Sequence, residues 1–155
     1  MDYVDIWGMN YYPGTDFQPF FDFYAPLTRK PLWISEYGID VINGGTNVDE
    51  TAQASCLGQG WDSIEASLSA YNSDDICLGV SIMAYSNEWW KHEAGDPGAH
   101  DYGGSSGWEG RQPDGFSNEE WYGIMEVSLD GPDADDIDDV TPRIVYTTLQ
   151  TEWGG

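Results

Sequence analysis

Residues Lys30-Pro31-Leu32-Trp33-Ile34-Ser35-Glu36-Tyr37-Gly38 decide how this chain reads. Pro31 sets a boundary. Leu32 to Ser35 form a short, mostly apolar run of strand type, and Gly38 closes the stretch. The run ends on a carboxylate. A charged side chain at the end of a buried strand is out of place unless something needs it there. Glu36 therefore marks either the point where the strand reaches water or a group held there for chemistry.

The same kind of run recurs on both sides. Tyr3 to Asn10 reads as a strand, with Val4, Ile6 and Trp7 as β-formers and Tyr11-Tyr12-Pro13-Gly14 as its closing turn. Asp16 to Tyr24 is aromatic-rich and is expected to hold a short helix before Pro26. After the loop Asn43-Gly44-Gly45-Thr46-Asn47, either Thr46 or Asn47 is the expected N-cap of a helix running to about Tyr71. Asp49 and Glu50 suit its first turn. Leu57, Trp61, Ile64 and Leu68 recur at helical spacing and share one face. Ile76 to Tyr85 is a third strand, apolar enough to be covered on both faces.

Strand, helix, strand, helix, strand is the alternation of a parallel α/β architecture. In a parallel barrel the carboxyl ends of the strands are where catalytic groups sit. Beyond Tyr85, residues Asn87 to Phe116 form a long Gly-, Asp-, Ser- and Pro-rich segment, of the kind that is usually functional. Asn118 to Ile124 fits one helical turn, and Asp130 to Asp139 is an acidic run. Thr141-Pro142 reads as the N-cap and first residue of a last helix ending near Trp153.

Composition bounds the function. The chain has 155 residues, ordinary for one domain but short of the roughly 250 of a complete (β/α)8 barrel. Its formal net charge is −23, from 28 acidic residues against five basic ones. That disfavours nucleic acid and anionic membrane surfaces as partners. Lysine is confined to Lys30 and Lys91, and the charge reads as a solvated, halophilic surface or as a functional acidic patch. No apolar run approaches the roughly 18 residues of a membrane helix. No leader is read at Met1, and the location expected for a longer protein is secreted or periplasmic, in a saline setting. Cys56 and Cys77 match no metal spacing, and whether they pair stays open.

The strand ends carry the chemistry. Asn10 and Tyr12 are two apart on the first strand, so they point to one face. Together with Lys-Pro-Leu-Trp-Ile-Ser-Glu-Tyr-Gly they resemble the sixth and seventh strands of clan A retaining glycoside hydrolases. These are (β/α)8-barrel enzymes, and the most similar are β-glucanosyltransferase-like and β-galactosidase/β-glucuronidase-like. The resemblance implies that Glu36 is the nucleophile and that Tyr12 donates a hydrogen bond to it. Such a donor favours the ionised carboxylate. Asn10 would line the sugar site.

Residues Ser81 to Lys91 (Ser-Ile-Met-Ala-Tyr-Ser-Asn-Glu-Trp-Trp-Lys) are similar to the eighth strand of the same enzymes, which often reads Phe-Glu-Trp-Ser-Asp-Glu-Trp-Trp-Lys. Met83, Ala84 and Tyr85 depart from it. The resemblance implies that Tyr85 is the aromatic platform under the sugar and that Trp89, Trp90 and Glu88 line the cleft. The stretch from Gly115 to Ile124 and the closing Thr-Pro-Arg-Ile-Val-Tyr-Thr-Thr-Leu-Gln are also similar. The fold expected is thus α/β, the C-terminal portion (about strands six to eight) of a TIM (β/α)8 barrel.

Retaining glycosidases need two carboxylates about 5–5.5 Å apart. In the family the acid/base follows Asn at the end of the fourth strand, which this chain does not include on that reading. The pairs Asn87-Glu88 and Asn118-Glu119 come after the eighth strand and do not inherit the role. The expected activity is hydrolysis or transfer of β-linked glycosyl groups from an oligo- or polysaccharide, without a cofactor. The alternative is a non-catalytic half-barrel or sugar-binding module, partnered by a missing N-terminal barrel half or by a second copy. Clusters around His92 and His100, with Glu93, Asp96 and Asp101, and around Asp133, Asp135 and Asp138, fit no metal pattern.

Overall fold

The computed structural model describes residues 3–91, 100–128 and 138–154. Three strands, β1 (Trp7–Asn10), β2 (Leu32–Tyr37) and β3 (Cys77–Ile82), form a parallel sheet in the order β1-β2-β3. Helices α1 (Gln18–Tyr24), α2 (Glu50–Glu65) and α3 (Ile144–Trp153) accompany it. The strand–helix alternation read from the sequence is present. The domain is mixed α/β with an open sheet, and no closed barrel forms among the described residues.

Burial follows the pleat. Leu32 and Ile34 are wholly buried in β2, whereas Trp33 and Ser35 on the opposite face are exposed. The core unites Leu32, Ile34 and Cys77 of the sheet with Phe17, Phe21, Leu57, Ile64, Val145 and Leu149. Each fully buried Leu or Ile contributes about 1.5–3 kcal/mol over its exposed state. β3 departs from the expected doubly covered strand: Leu78 is 41% exposed and Ser81 is exposed. An apolar run alone does not report whether the second face has a partner.

Element boundaries shift for local reasons. The cap of α2 is Asp49, whose side chain accepts from the Ala52 amide at 2.9 Å, not Thr46 or Asn47. Residues before it are taken up elsewhere: Val48 bridges Ile42, and the Asn43 amide donates to the Asn47 carbonyl. The far end of α2 stops at Glu65 because Leu68 bridges Cys77, and the Ser69 amide donates to the Cys77 carbonyl. Leu57, Ile64 and Leu68 still face the core, with Trp61 partly buried against it.

The long segment after β3 is not structureless. Strands β4 (Ser105–Ser106) and β5 (Phe116–Ser117) pair antiparallel, and a 3-10 turn spans Glu119–Trp121. A second antiparallel pair, β6 (Met125–Ser128) and β7 (Asp139–Pro142), leads into α3. Thr141 and Pro142 therefore end a strand, and Arg143 is the N-cap residue. Arg143 is 2% exposed and donates Nη1 to Asn87 Oδ1 (2.7 Å) and to the Gly123 carbonyl (2.6 Å). These bonds tie the loop after β3 to the start of α3.

Most of the acidic run, residues 130–137, lies outside the described residues, as do His92, Glu93, Asp96, Asp133 and Asp135. Cys56 and Cys77 are free thiols. Among the described residues no helix is long and apolar enough to cross a membrane.

Candidate active site

The carboxyl ends of β1 and β2 meet at Glu36. Their register skips Ser35, so that Met9 lies beside Ile34 but Asn10 lies beside Glu36. This irregularity brings the Asn10 amide onto the carboxylate. Asn10 Oδ1 accepts from Ser35 Oγ at 2.9 Å, which orients the amide so that Nδ2 donates to Glu36 Oε2. Tyr12 OH donates to the other oxygen, Oε1, at 2.6 Å. Both carboxylate oxygens are thus engaged, one by an amide and one by a phenol. Burial, and then the bond to Glu36, push the Tyr12 phenol well above its usual range, so it remains a donor throughout the physiological range.

The end of β2 fixes the loops around this carboxylate. Tyr37 is 1% exposed, and its OH donates to the carbonyl of Gly14, two residues past Tyr12. Helix α2 comes close enough to Tyr37 that only a glycine fits at Gly60, where a Cβ would lie 2.1 Å from the phenol oxygen. At Gly38 a Cβ would lie 2.0 Å from the Met83 carbonyl. The loop after β3 can therefore close over the end of β2, and Met83 Sδ comes 2.9 Å from Tyr12 OH.

Asp40, 1% exposed, anchors the next layer. Its oxygens accept from the amides of Ile42 (2.9 Å) and Asn118 (3.1 Å), and its own amide donates to Gln112 Oε1. Gln112 Nε2 donates to Tyr122 OH at 2.7 Å, and Ser117 Oγ shares that phenol at 2.8 Å. Burial raises the Asp40 carboxyl to about 7, against the lowering effect of the two amides.

A cavity of about 200 Å3 results, lined by Tyr12, Glu36, Met83, Lys91, Trp108, Ser117, Glu119 and Tyr122. Its aromatic walls are Tyr12, Trp108 and Tyr122; the rings of Trp108 and Tyr122 both stand perpendicular to Tyr12, at 5.9 and 6.1 Å. Trp108 is pinned by its indole N–H, which donates to Ser105 Oγ at 2.9 Å.

Of the residues singled out by sequence, Asn10 and Tyr12 converge on Glu36. Tyr85, Trp89, Trp90 and Glu88 do not line this cavity. Tyr85 is 63% exposed and Trp90 55%. Trp89 packs edge-on against Trp90, and Glu88 sits 3.6 Å from Lys91. Sequence reading missed Trp108 and Tyr122, which arrive through the β4–β5 pair and the 3-10 turn. The Asp40–Asn118 bond spans 78 positions, and no local pattern announces it. Among the described residues no group of three or more His, Cys, Asp or Glu is placed to hold a metal ion.

The architecture has counterparts among solved glycosidases. Over 99% of its length the chain superposes on a β-glucuronidase from Bifidobacterium dentium complexed with coumarin-3-O-glucuronide, at a TM-score of 0.54 and 16% identity. Over 98% it superposes on a GH2 β-galacturonidase from Eisenbergiella tayi bound to galacturonate, at 0.50 and 18%. The chain spans 21% and 24% of the lengths of those two proteins. No protein-family model and no curated protein matches it. The fold therefore has a partial resemblance to the GH2-family (β/α)8-barrel glycosidases, covering most of this chain but only part of the barrel.

Proposed function

We propose that this chain carries the nucleophile half of a retaining β-glycosidase or transglycosylase site, corresponding to strands six to eight of the barrel. The observation that carries this reading is the convergence of Asn10 and Tyr12 on the two oxygens of Glu36 at the carboxyl ends of parallel strands. The Glu36 carboxylate attacks the anomeric carbon as the glycosidic bond breaks, giving a glycosyl ester. Water or a sugar hydroxyl then displaces Glu36. The proton for the leaving oxygen comes from a carboxylate not assigned to this chain, and a missing N-terminal barrel half is the partner that would supply it. Tyr12 holds the carboxylate in line, and Trp108 offers the sugar an aromatic face. Tyr85 and Trp90, both exposed beyond β3, are outer contacts for a longer glycan. The acidic composition suits a saline setting.

The test uses β-linked dinitrophenyl glycosides, whose leaving group needs no proton. Glucosides, galactosides and the corresponding uronides are included, because the two structural likenesses handle uronides. Glu36→Ala should abolish turnover, and azide should restore it by attacking the anomeric carbon, giving an α-glycosyl azide. A Glu36→Ala chain as active as the native one would refute the assignment.

A second reading has its own support. The sheet has three strands, and Met9, Trp33 and Leu78 are each at least 37% exposed on it. A half-barrel that binds glycans without turning them over, covered by a second copy, fits that exposure.

A further inference from the structure

Met83 Sδ lies 2.9 Å from the Tyr12 phenol oxygen, and that oxygen lies 2.6 Å from Glu36 Oε1. A phenol has one proton to donate. The carboxylate holds it against the thioether, because a charged oxygen is a strong acceptor and a thioether sulfur a weak one. The balance therefore depends on the oxidation state of the sulfur.

We infer that Met83 is a modification site: a peroxide oxidises its thioether to the sulfoxide, and this breaks the bond between Tyr12 and Glu36. That the loss slows a reaction on sugars rests on the reading of Glu36 given above. In the step one peroxide oxygen passes to Sδ, the sulfur gives up two electrons, and the peroxide leaves as water or an alcohol. The product is polar, and its oxygen accepts hydrogen bonds.

Access and rigidity both favour this outcome. Met83 lines the cavity of about 200 Å3 that also holds Tyr12 and Glu36, so a peroxide little larger than a water reaches it. Neither partner can back away. The Met83 amide donates to the Tyr37 carbonyl at 2.8 Å, and the Met83 carbonyl lies against Gly38, where a Cβ would come within 2.0 Å of it. The Tyr12 ring stands among those of Trp108, Tyr122 and Tyr37, at 5.9, 6.1 and 6.5 Å. An oxygen added to a sulfur already this close either takes the phenol proton or pushes the phenol aside. Both free Oε1 of Glu36. Met9 and Met125 do not line this cavity. Met83 also stands where the eighth-strand pattern that this stretch resembles has Phe, which carries no sulfur to oxidise.

The test treats the native chain, Met83→Leu and Tyr12→Phe with hydrogen peroxide in high salt. Peptide mass spectrometry reads the oxygen added at Met83, and dinitrophenyl β-glycosides read the rate before and after. The native rate should fall about 10- to 100-fold, the loss expected for a charge-assisted hydrogen bond, and methionine sulfoxide reductase should restore it. Treatment should leave the rates of both variants where they were: one has no thioether there, the other no phenol to displace. If oxidation slows Tyr12→Phe as much as the native chain, the oxygen merely obstructs the cavity and the inference is overturned. A native chain that keeps its rate with the sulfoxide formed at Met83, or that takes no oxygen there, overturns it too. If the untreated chain reacts with no glycoside, the reading of Glu36 falls, and the NMR signal of the isotope-labelled Tyr12 ring decides alone. That signal should shift on oxidation of the native chain, and an unchanged signal overturns the inference.

Discussion

Tyr12 donates its phenolic proton to Glu36 Oε1 at 2.6 Å, while Asn10 occupies Oε2. Hydrogen bonds to a charged partner contribute about 1.5–3 kcal/mol. Tyr12→Phe should leave the fold intact and slow reaction with activated glycosides by about 10- to 100-fold. The rate with dinitrophenyl glycosides checks it, alongside an unchanged circular dichroism spectrum.

Gly38 should tolerate no side chain. A Cβ there would lie 2.0 Å from the Met83 carbonyl and 2.7 Å from the Tyr122 ring. Backbone has to move, so Gly38→Ala should destabilise by about 2 kcal/mol or more. Urea unfolding measures this. Gly45, where a Cβ meets nothing within 4 Å, has a φ of +92°; Gly45→Ala there reports backbone strain without a clash.

Asp40 gives the fold a pH dependence of definite sign. Burial raises its carboxyl from 3.8 to about 7. Between those values the native state keeps a proton that the unfolded chain has lost. Stability must therefore fall as pH rises through the window, by roughly 3–5 kcal/mol in all at about 1.4 kcal/mol per unit. Asp40→Asn removes the titrating group, at the cost of turning an amide nitrogen toward one of the two backbone N–H donors, and should flatten this part of the slope. Denaturation midpoints of both proteins at pH 4.5, 6 and 7.5 separate it from general charge repulsion, which both share.

Salt should stabilise the chain. A net charge of −23 repels itself when compact, and screening shortens from about 10 Å at 0.1 M salt to about 3 Å at 1 M. The melting temperature should rise steadily with sodium chloride over that range. A flat response would show that the acidic groups are too dispersed to matter.

What the sequence disclosed follows from range. The three parallel strands and the helices between them come from local periodicity, and alternation puts Asn10 and Tyr12 on one face; the Tyr12–Glu36 bond is implied only by the resemblance, and the Asn10–Glu36 bond depends on a register shift that no local pattern announces. The loop layer was not legible. Trp108 and Tyr122 reach Glu36 through the short β4–β5 pair and through Asp40 and Gln112, which are 72 positions apart. Tyr85, placed by resemblance under the sugar, is 63% exposed, and Met83, which the resemblance did not single out for the site, is the residue of this stretch that meets Tyr12. Thr141-Pro142 carries a sound helix-start signal, yet pairing with Met125 and Glu126 claims both residues for a strand.

The most direct test is intact mass after incubation, in high salt, with 2-fluoro-glycosyl inactivators bearing a dinitrophenolate leaving group. Glu36 displaces the phenolate, and the fluorine slows release of the ester. The account predicts a single adduct, mapping by peptide sequencing to Glu36 and absent from Glu36→Gln. A folded chain that takes no adduct across gluco, galacto and uronic inactivators, or takes it elsewhere, would contradict it.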